Sequence, residues 1–115
     1  MTMQAFPVLT LTVTATGAMT AHRFVTAAGA QAGADANTLG VARSDAVSGD
    51  RVAVDVLGTV ILEAGAAFAA GATLKSDAGG RGMAWATSGA KVALALQAAT
   101  AAGQFVEVLL IPNVA

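Results

Sequence analysis

The 115-residue chain is long enough for one domain with its own core, and six basic against seven acidic residues give a net charge of −1. No basic stripe is present, so the electrostatic footprint of a nucleic-acid-binding protein is missing, and the absence of cysteine excludes disulfides and thiolate metal sites. Charged residues make up only 11%, about half the usual share. Either small neutral residues cover the surface, or much of the surface is buried against neighbouring subunits.

The first 21 residues carry no acidic or basic side chain. Residues 1–7 predict an irregular N-terminal arm, because Pro7 cannot donate to a strand ladder, and residues 8–115 predict a single β-rich domain. From Val8 to Thr14 the sequence alternates, with Leu9 and Leu11 on one face and threonines on the other, as in a β-strand. There is no basic region of a signal peptide, and the threonines interrupt any apolar span, so we expect a soluble chain that does not enter a membrane.

The longest ordered pattern runs from Leu39 to Glu63 and indicates a hairpin followed by a further strand. Val52, Val54 and Val56 recur with a period of two, which is typical of a half-buried strand. Gly58 interrupts this alternation as a bulge or bend would, and the strand pattern then resumes up to Glu63.

The rest of the chain predicts short strands separated by glycine-rich turns. These strands are expected at His22–Thr26, Gly40–Ala42, Thr73–Ser76, Met83–Ala86, Val92–Leu96 and Phe105–Ile111. The alanine-rich segment Ala64–Gly71 predicts one or two helical turns that end at its glycine. The predicted fold is therefore mainly β: a small barrel or sandwich of short antiparallel strands, with at most one short helix and an N-terminal arm.

Candidate catalytic groups are few and do not form a recognisable set. His22 is the single histidine, so two imidazoles cannot meet on one metal, and Ser88 and Lys91 share only the spacing of a serine acyl enzyme. Asp45 and Asp50 lack the closing glutamate of a calcium loop, and no Lys-Ser/Thr pair follows the glycines of residues 79–82. We predict no catalytic, cofactor-binding or metal-binding residue, no cofactor and no enzyme activity.

The order of these motifs resembles the small capsid cement, or head decoration, proteins of tailed bacteriophages and prophages. The resemblance covers roughly residues 8 to 111 and is carried by the ordered series rather than by any one motif. In chain order the series is Val8-Leu9-Thr10-Leu11-Thr12, Arg23-Phe24-Val25-Thr26, Leu39-Gly40-Val41-Ala42, Gly49-Asp50-Arg51-Val52-Ala53-Val54, Gly58-Thr59-Val60, Ala64-Gly65-Ala66-Ala67-Phe68-Ala69-Ala70-Gly71, Asp77-Ala78-Gly79-Gly80-Arg81, Leu94-Ala95-Leu96, Gly103 and Val106-Glu107-Val108-Leu109-Leu110.

The resemblance implies a non-enzymatic protein that is made in the host cytoplasm and binds the outer surface of the capsid in the virion. Its implied partner is the major capsid protein, and its implied work is to stabilise the expanded head. It also implies a homo-oligomer, with a trimer favoured and a dimer possible, and no direct contact with nucleic acid or membrane. The alternative is a surface-displayed β-sandwich that binds carbohydrate or a host surface, although one Trp and two Asn are few for such a site.

Two hypotheses assign residues to contacts. The N-terminal segment is expected to contact the capsid by adding to an exposed sheet edge; its contact residues are Met3, Phe6, Pro7, Leu9 and Leu11. Phe68 and Trp85, the largest apolar groups outside the clear strands, are expected at contacts between subunits.

Overall fold

Residues 5–111 are the part of the chain that this computed structural model describes. They contain eight strands, which pair antiparallel, and no helix. The prediction of a mainly β domain is therefore confirmed. No helix among these residues has the length and hydropathy needed to cross a bilayer. The strands are β1 (Phe6–Thr14), β2 (Phe24–Val25), β3 (Gly40–Ala42), β4 (Arg51–Glu63), β5 (Thr73–Ser76), β6 (Gly82–Ala84), β7 (Ala93–Ala95) and β8 (Phe105–Leu110).

The strands form one sheet that nearly closes into a barrel. Its order is β2-β3-β4-β8-β7-β5-β6, and the two ends approach each other where the Phe24 amide donates to the Gly80 carbonyl at 2.7 Å. A parallel bridge between Ala64 and Gly82 adds to this closure. Closure covers strand edges that would otherwise be open to other chains. β1 lies off this path and pairs with β4.

The 13-residue strand β4 connects every part of the sheet to β1. Thr59 pairs with Phe6 of β1 and with Leu109 of β8, so these two strands lie on opposite edges of β4. Asp55 likewise pairs with β1 on one side and β3 on the other. One edge of β4 is thus shared by β3 and β8, and the other edge carries β1.

Two apolar clusters form the core, and both depend on the alternation that the sequence predicted for β4. Val52 and Val54 point into a smaller cluster near β3, and Val60 and Leu62 point into the larger cluster inside the barrel. Most other members are valine and alanine, so the core depends on many small close contacts. Each fully buried valine or leucine contributes about 1.5–3 kcal/mol.

The predicted helix at Ala64–Gly71 is wrong, because this segment is irregular, with two isolated bridges and a turn at its end. Phe68 forms a bridge with Ala99, and the Gly71 amide donates to the carbonyl of Ala95 at 2.8 Å. Alanine's helix preference amounts to tenths of a kilocalorie per residue, and isolated helices of this length are unstable. Burying Ala64 and Phe68 inside the barrel outweighs that preference, since both side chains are at most 7% exposed.

β1 begins two residues earlier than the sequence pattern indicated. Phe6 and Pro7 pair with Thr59 and Gly58 of β4, so part of the predicted arm belongs to the strand. The register shifts on both sides of Leu9, and Gly58 has a φ of 99°, which confirms the predicted irregularity there. Residues 1–4, which include the predicted contact residue Met3, lie outside the described residues.

Candidate functional site

β1 is the most exposed strand of the described sheet. Seven large hydrophobic side chains are exposed in this part of the chain, and four lie on β1: Phe6 at 63%, Val8 at 76%, Leu9 at 42% and Leu11 at 40%. Pro7 lies between them and is half-buried. The structure thus brings four of the predicted contact residues onto one strand and adds Val8, which the alternation had assigned to the threonine face.

The edge of β1 carries none of the charges that usually protect an exposed strand. Proteins commonly place lysine or an inward-pointing charge on such edges to prevent pairing with other chains. Every residue from Ala5 to Ala21 is uncharged, and β1 pairs only with β4 among the strands described here. The nine-residue strand β1 is therefore uncharged and exposed to contact with another protein.

Only part of this edge can accept a partner strand. Near the start of β1, Pro7 has no amide to donate. The register shifts at Leu9 also make the backbone irregular there, where β1 pairs with β4. At the other end, a side chain on Gly29 would collide with the Thr14 carbonyl, so the loop backbone covers that group. Regular pairing is left to the middle of the strand, around Thr10 and Thr12, and apolar side chains must supply the rest of any contact.

A polar cluster fixes the middle of β1 to the sheet. The Thr10 hydroxyl donates to Asp55 Oδ1 at 2.8 Å, and Arg43 Nη2 donates to the same oxygen at 2.6 Å and to the Thr10 hydroxyl at 3.1 Å. Asp55 faces away from the core, as predicted, but is only 7% exposed because these two groups cover it. The cluster links β1, β4 and the residue after β3, and no local sequence pattern predicted it.

A pocket of 270 Å³ lies beside the start of β1 and includes the single histidine. Its walls are mostly apolar, and its charged members, Arg43 and Asp55, already form an ion pair with each other. The His22 ring packs edge-on against Phe105, with 5.4 Å between ring centroids. This contact gives His22 a packing role.

Phe68, one of the two residues predicted at contacts between subunits, packs in the core of the chain. Its side chain is 7% exposed and belongs to the core cluster inside the barrel. Trp85 remains half-buried in the loop after β6. Its indole nitrogen donates to the Gly89 carbonyl at 2.8 Å, and Lys91 Nζ lies 4.5 Å from the centre of its ring.

Ser88 and Lys91 do not act together as their spacing would require in a serine acyl enzyme. Ser88 instead donates to Asp35 Oδ2 at 3.0 Å, while Lys75 Nζ lies 2.7 Å from Oδ1 of the same carboxylate. These hydrogen bonds, that of Lys75 first, hold the pKa of Asp35 below its ordinary value of 3.8. The group joins β5 to two loops and is structural.

Glu63 and Asp77 form a further group of ion pairs with two arginines. Glu63 accepts from Arg23 at 3.1 Å and lies 3.4 Å from Arg81, which in turn approaches Asp77 at 3.7 Å. Between Ala5 and Ile111, no three His, Cys, Asp or Glu side chains are grouped so as to hold a metal ion. The surface feature that the described residues share most clearly is the set of exposed apolar side chains on β1.

A family model and a solved structure are similar to this chain. A family model described as phage cement protein matches residues 3–110. The structure is similar to the N base of the head fiber gp8.5 of bacteriophage phi29, with a TM-score of 0.73 and 20% identity over 91% of this chain and 95% of that one. At this identity the likeness shows a shared fold. No curated protein sequence matches this chain significantly.

Proposed function

The chain belongs to the phage cement protein family, and on that premise we propose that it binds the major capsid protein through β1 and stabilises the expanded head. It is a capsid decoration protein of the outer surface of the virion, and its family is one of structural phage proteins. We propose that it performs no reaction. Asp35, Asp55 and Glu63 are each ion-paired in contacts between strands and loops, which supports this part of the proposal.

One observation carries the assignment of β1 to the capsid. The barrel covers its other edges, and the strand left outside it is uncharged and holds Phe6, Val8, Leu9 and Leu11 in exposed positions. Exposed apolar groups gathered on one element mark a site of contact with another protein. We propose that Met3 is also among the capsid-contact residues.

We further propose that the protein is a homo-oligomer on the capsid, a trimer in preference to a dimer, with Trp85 at the contact between subunits. Trp85 is the single tryptophan, and its half-buried ring lies in a loop rather than in the barrel wall. A lattice of such subunits needs only modest individual contacts, since each bound subunit raises the effective concentration for the next contact.

The experiment is to mix purified protein with expanded, undecorated capsids and measure the bound fraction by co-sedimentation. Wild-type protein should bind saturably and decorate the particles symmetrically. Val8→Asp places an unpaired charge within the proposed contact and should abolish binding, because burying such a charge is costly. Val47→Asp is the matched control, since Val47 is 64% exposed and lies in the loop before β4. Equal binding by the two variants would refute the role of β1.

A further inference from the structure

A second apolar surface begins at Phe6 and crosses the outer face of the barrel. The strand registers place Phe6, Thr59, Leu109, Leu94 and Thr73 side by side on five neighbouring strands, from β1 through β4, β8 and β7 to β5. None of the five is charged. We name this set the outer row.

The outer row points away from the core. Val60 and Val108, the chain neighbours of Thr59 and Leu109, are at most 2% exposed inside the barrel, and side chains alternate across a strand. Leu109 is 39% exposed, and the other central members are half-buried. Antiparallel sheets usually carry polar side chains on the face that meets water. The leucine pair at this position is therefore available for contact with another protein.

The dimensions of the outer row argue against a second copy of this chain as its occupant. Five strands about 4.8 Å apart span roughly 19 Å, and one row of side chains is about 7 Å deep. That footprint is far below the 800 Å² or so that each partner contributes to a stable interface. The row gains area by continuing into β1, with which it shares Phe6. Its occupant is therefore the protein that covers β1.

We propose that the outer row is a second part of the capsid-binding surface and lies on a flat, uncharged, apolar area of the shell. This inference rests on the proposed function, because it takes the shell as the partner of β1. It adds a mode of contact that β1 alone does not provide. The middle of β1 offers backbone groups to a strand, whereas the outer row offers side chains to a surface that approaches the sheet face.

The test is Leu109→Asp in the same co-sedimentation assay, with Val47→Asp as the control of equal charge. Leu109→Asp should weaken binding on the order of 100-fold, as expected when an unpaired carboxylate enters an apolar contact. Leu94→Thr removes apolar area with a residue that suits strands, and it should weaken binding about 5-fold. It also serves as the test if Leu109→Asp does not fold. Melting temperatures and sedimentation coefficients of the free variants should match those of Val47→Asp.

The outcomes separate this inference from the proposed function. Weak binding by both Leu109→Asp and Val8→Asp, with normal binding by Val47→Asp, supports the outer row. Normal binding by Leu109→Asp and Leu94→Thr, with weak binding by Val8→Asp, overturns the outer row and leaves the role of β1 standing. Normal binding by all four variants overturns both. A changed oligomer size for Leu109→Asp, with normal decoration, would assign the row to a second copy and overturn the inference.

Discussion

Replacing Gly58 by alanine should detach the start of β1 from β4. Gly58 has a φ of 99°, and a methyl group there would collide with the Phe6 carbonyl and come within 2.9 Å of the Val8 amide nitrogen. Both obstacles are backbone atoms of β1, which cannot rotate aside as a flexible side chain can. The variant must therefore shift the segment from Phe6 to Val8 away from the sheet.

Gly49→Ala provides a control that separates strain from collision. Gly49 has a φ of 94°, and nothing lies within 4 Å of the position where its methyl group would be. A residue with a side chain loses about 1–2 kcal/mol in this left-handed region, and Gly49→Ala should cost that amount. Gly58→Ala should lose the same strain energy and, in addition, one or two hydrogen bonds of about 0.5–1.5 kcal/mol each. Its total cost is therefore roughly 1.5–5 kcal/mol.

Urea denaturation and capsid co-sedimentation test this prediction together. Gly58→Ala should unfold at a lower urea concentration than Gly49→Ala and should also bind capsids weakly while still folded, since Phe6 and Val8 are displaced. Gly49→Ala should bind as the wild type does. If the two variants were equally stable and bound equally well, the close approach of β1 to Gly58 would not be needed to hold β1 in its binding position.

The remaining predictions concern the core, the subunit contact and acid stability. Phe68→Ala should lower the free energy of unfolding by about 3–5 kcal/mol, a core cavity effect that thermal denaturation would show at any protein concentration. Trp85→Ala should instead shift the oligomer toward smaller species in sedimentation, and an unchanged profile would contradict its contact role. Asp35→Asn should flatten the pH dependence of stability. Lys75 and Ser88 lower the pKa of Asp35 in the folded state, so Asp35 stabilises the fold above pH 3.8. This stabilisation is lost as the pH falls through the lowered pKa. The same acid unfolding profile for Asp35→Asn and wild type would contradict this role of Asp35.

The fold was largely predictable because period-two alternation is a local signal. The predicted strands at Gly40–Ala42 and Thr73–Ser76 have the observed bounds, and β4 has its predicted face and its irregularity at Gly58. Ala64–Gly71 could not be predicted from local propensity. Its structure is decided by bridges to residues about 20 to 30 positions away, and no window of neighbouring residues contains that information.

Only the part of the candidate site that lies on the single strand β1 could be predicted from the sequence. The uncharged alternation of residues 8–14 pointed to an edge, and Phe6, Leu9 and Leu11 are exposed there. The outer row was missed because its members come from five separate strands, and only the strand registers place Leu109 beside Leu94 and Thr59. A usable signal was present in β8, where Phe105 and Leu109 occupy the face opposite the buried valines.

The distribution of large side chains suits a protein that works within a lattice. Valine and alanine make up most of the barrel core, and five of the seven exposed large hydrophobic side chains of the described residues lie on β1 or in the outer row. Neither surface offers a deep anchor, so a single subunit should hold the shell with modest affinity. The affinity of the whole layer then depends on contacts between neighbouring subunits. A subunit that contacts a bound neighbour is held near the shell at a high effective concentration, which strengthens its binding. Weakening the contact between subunits should therefore reduce decoration even where β1 and the outer row are intact, a coupling that Trp85→Ala in the capsid assay would reveal.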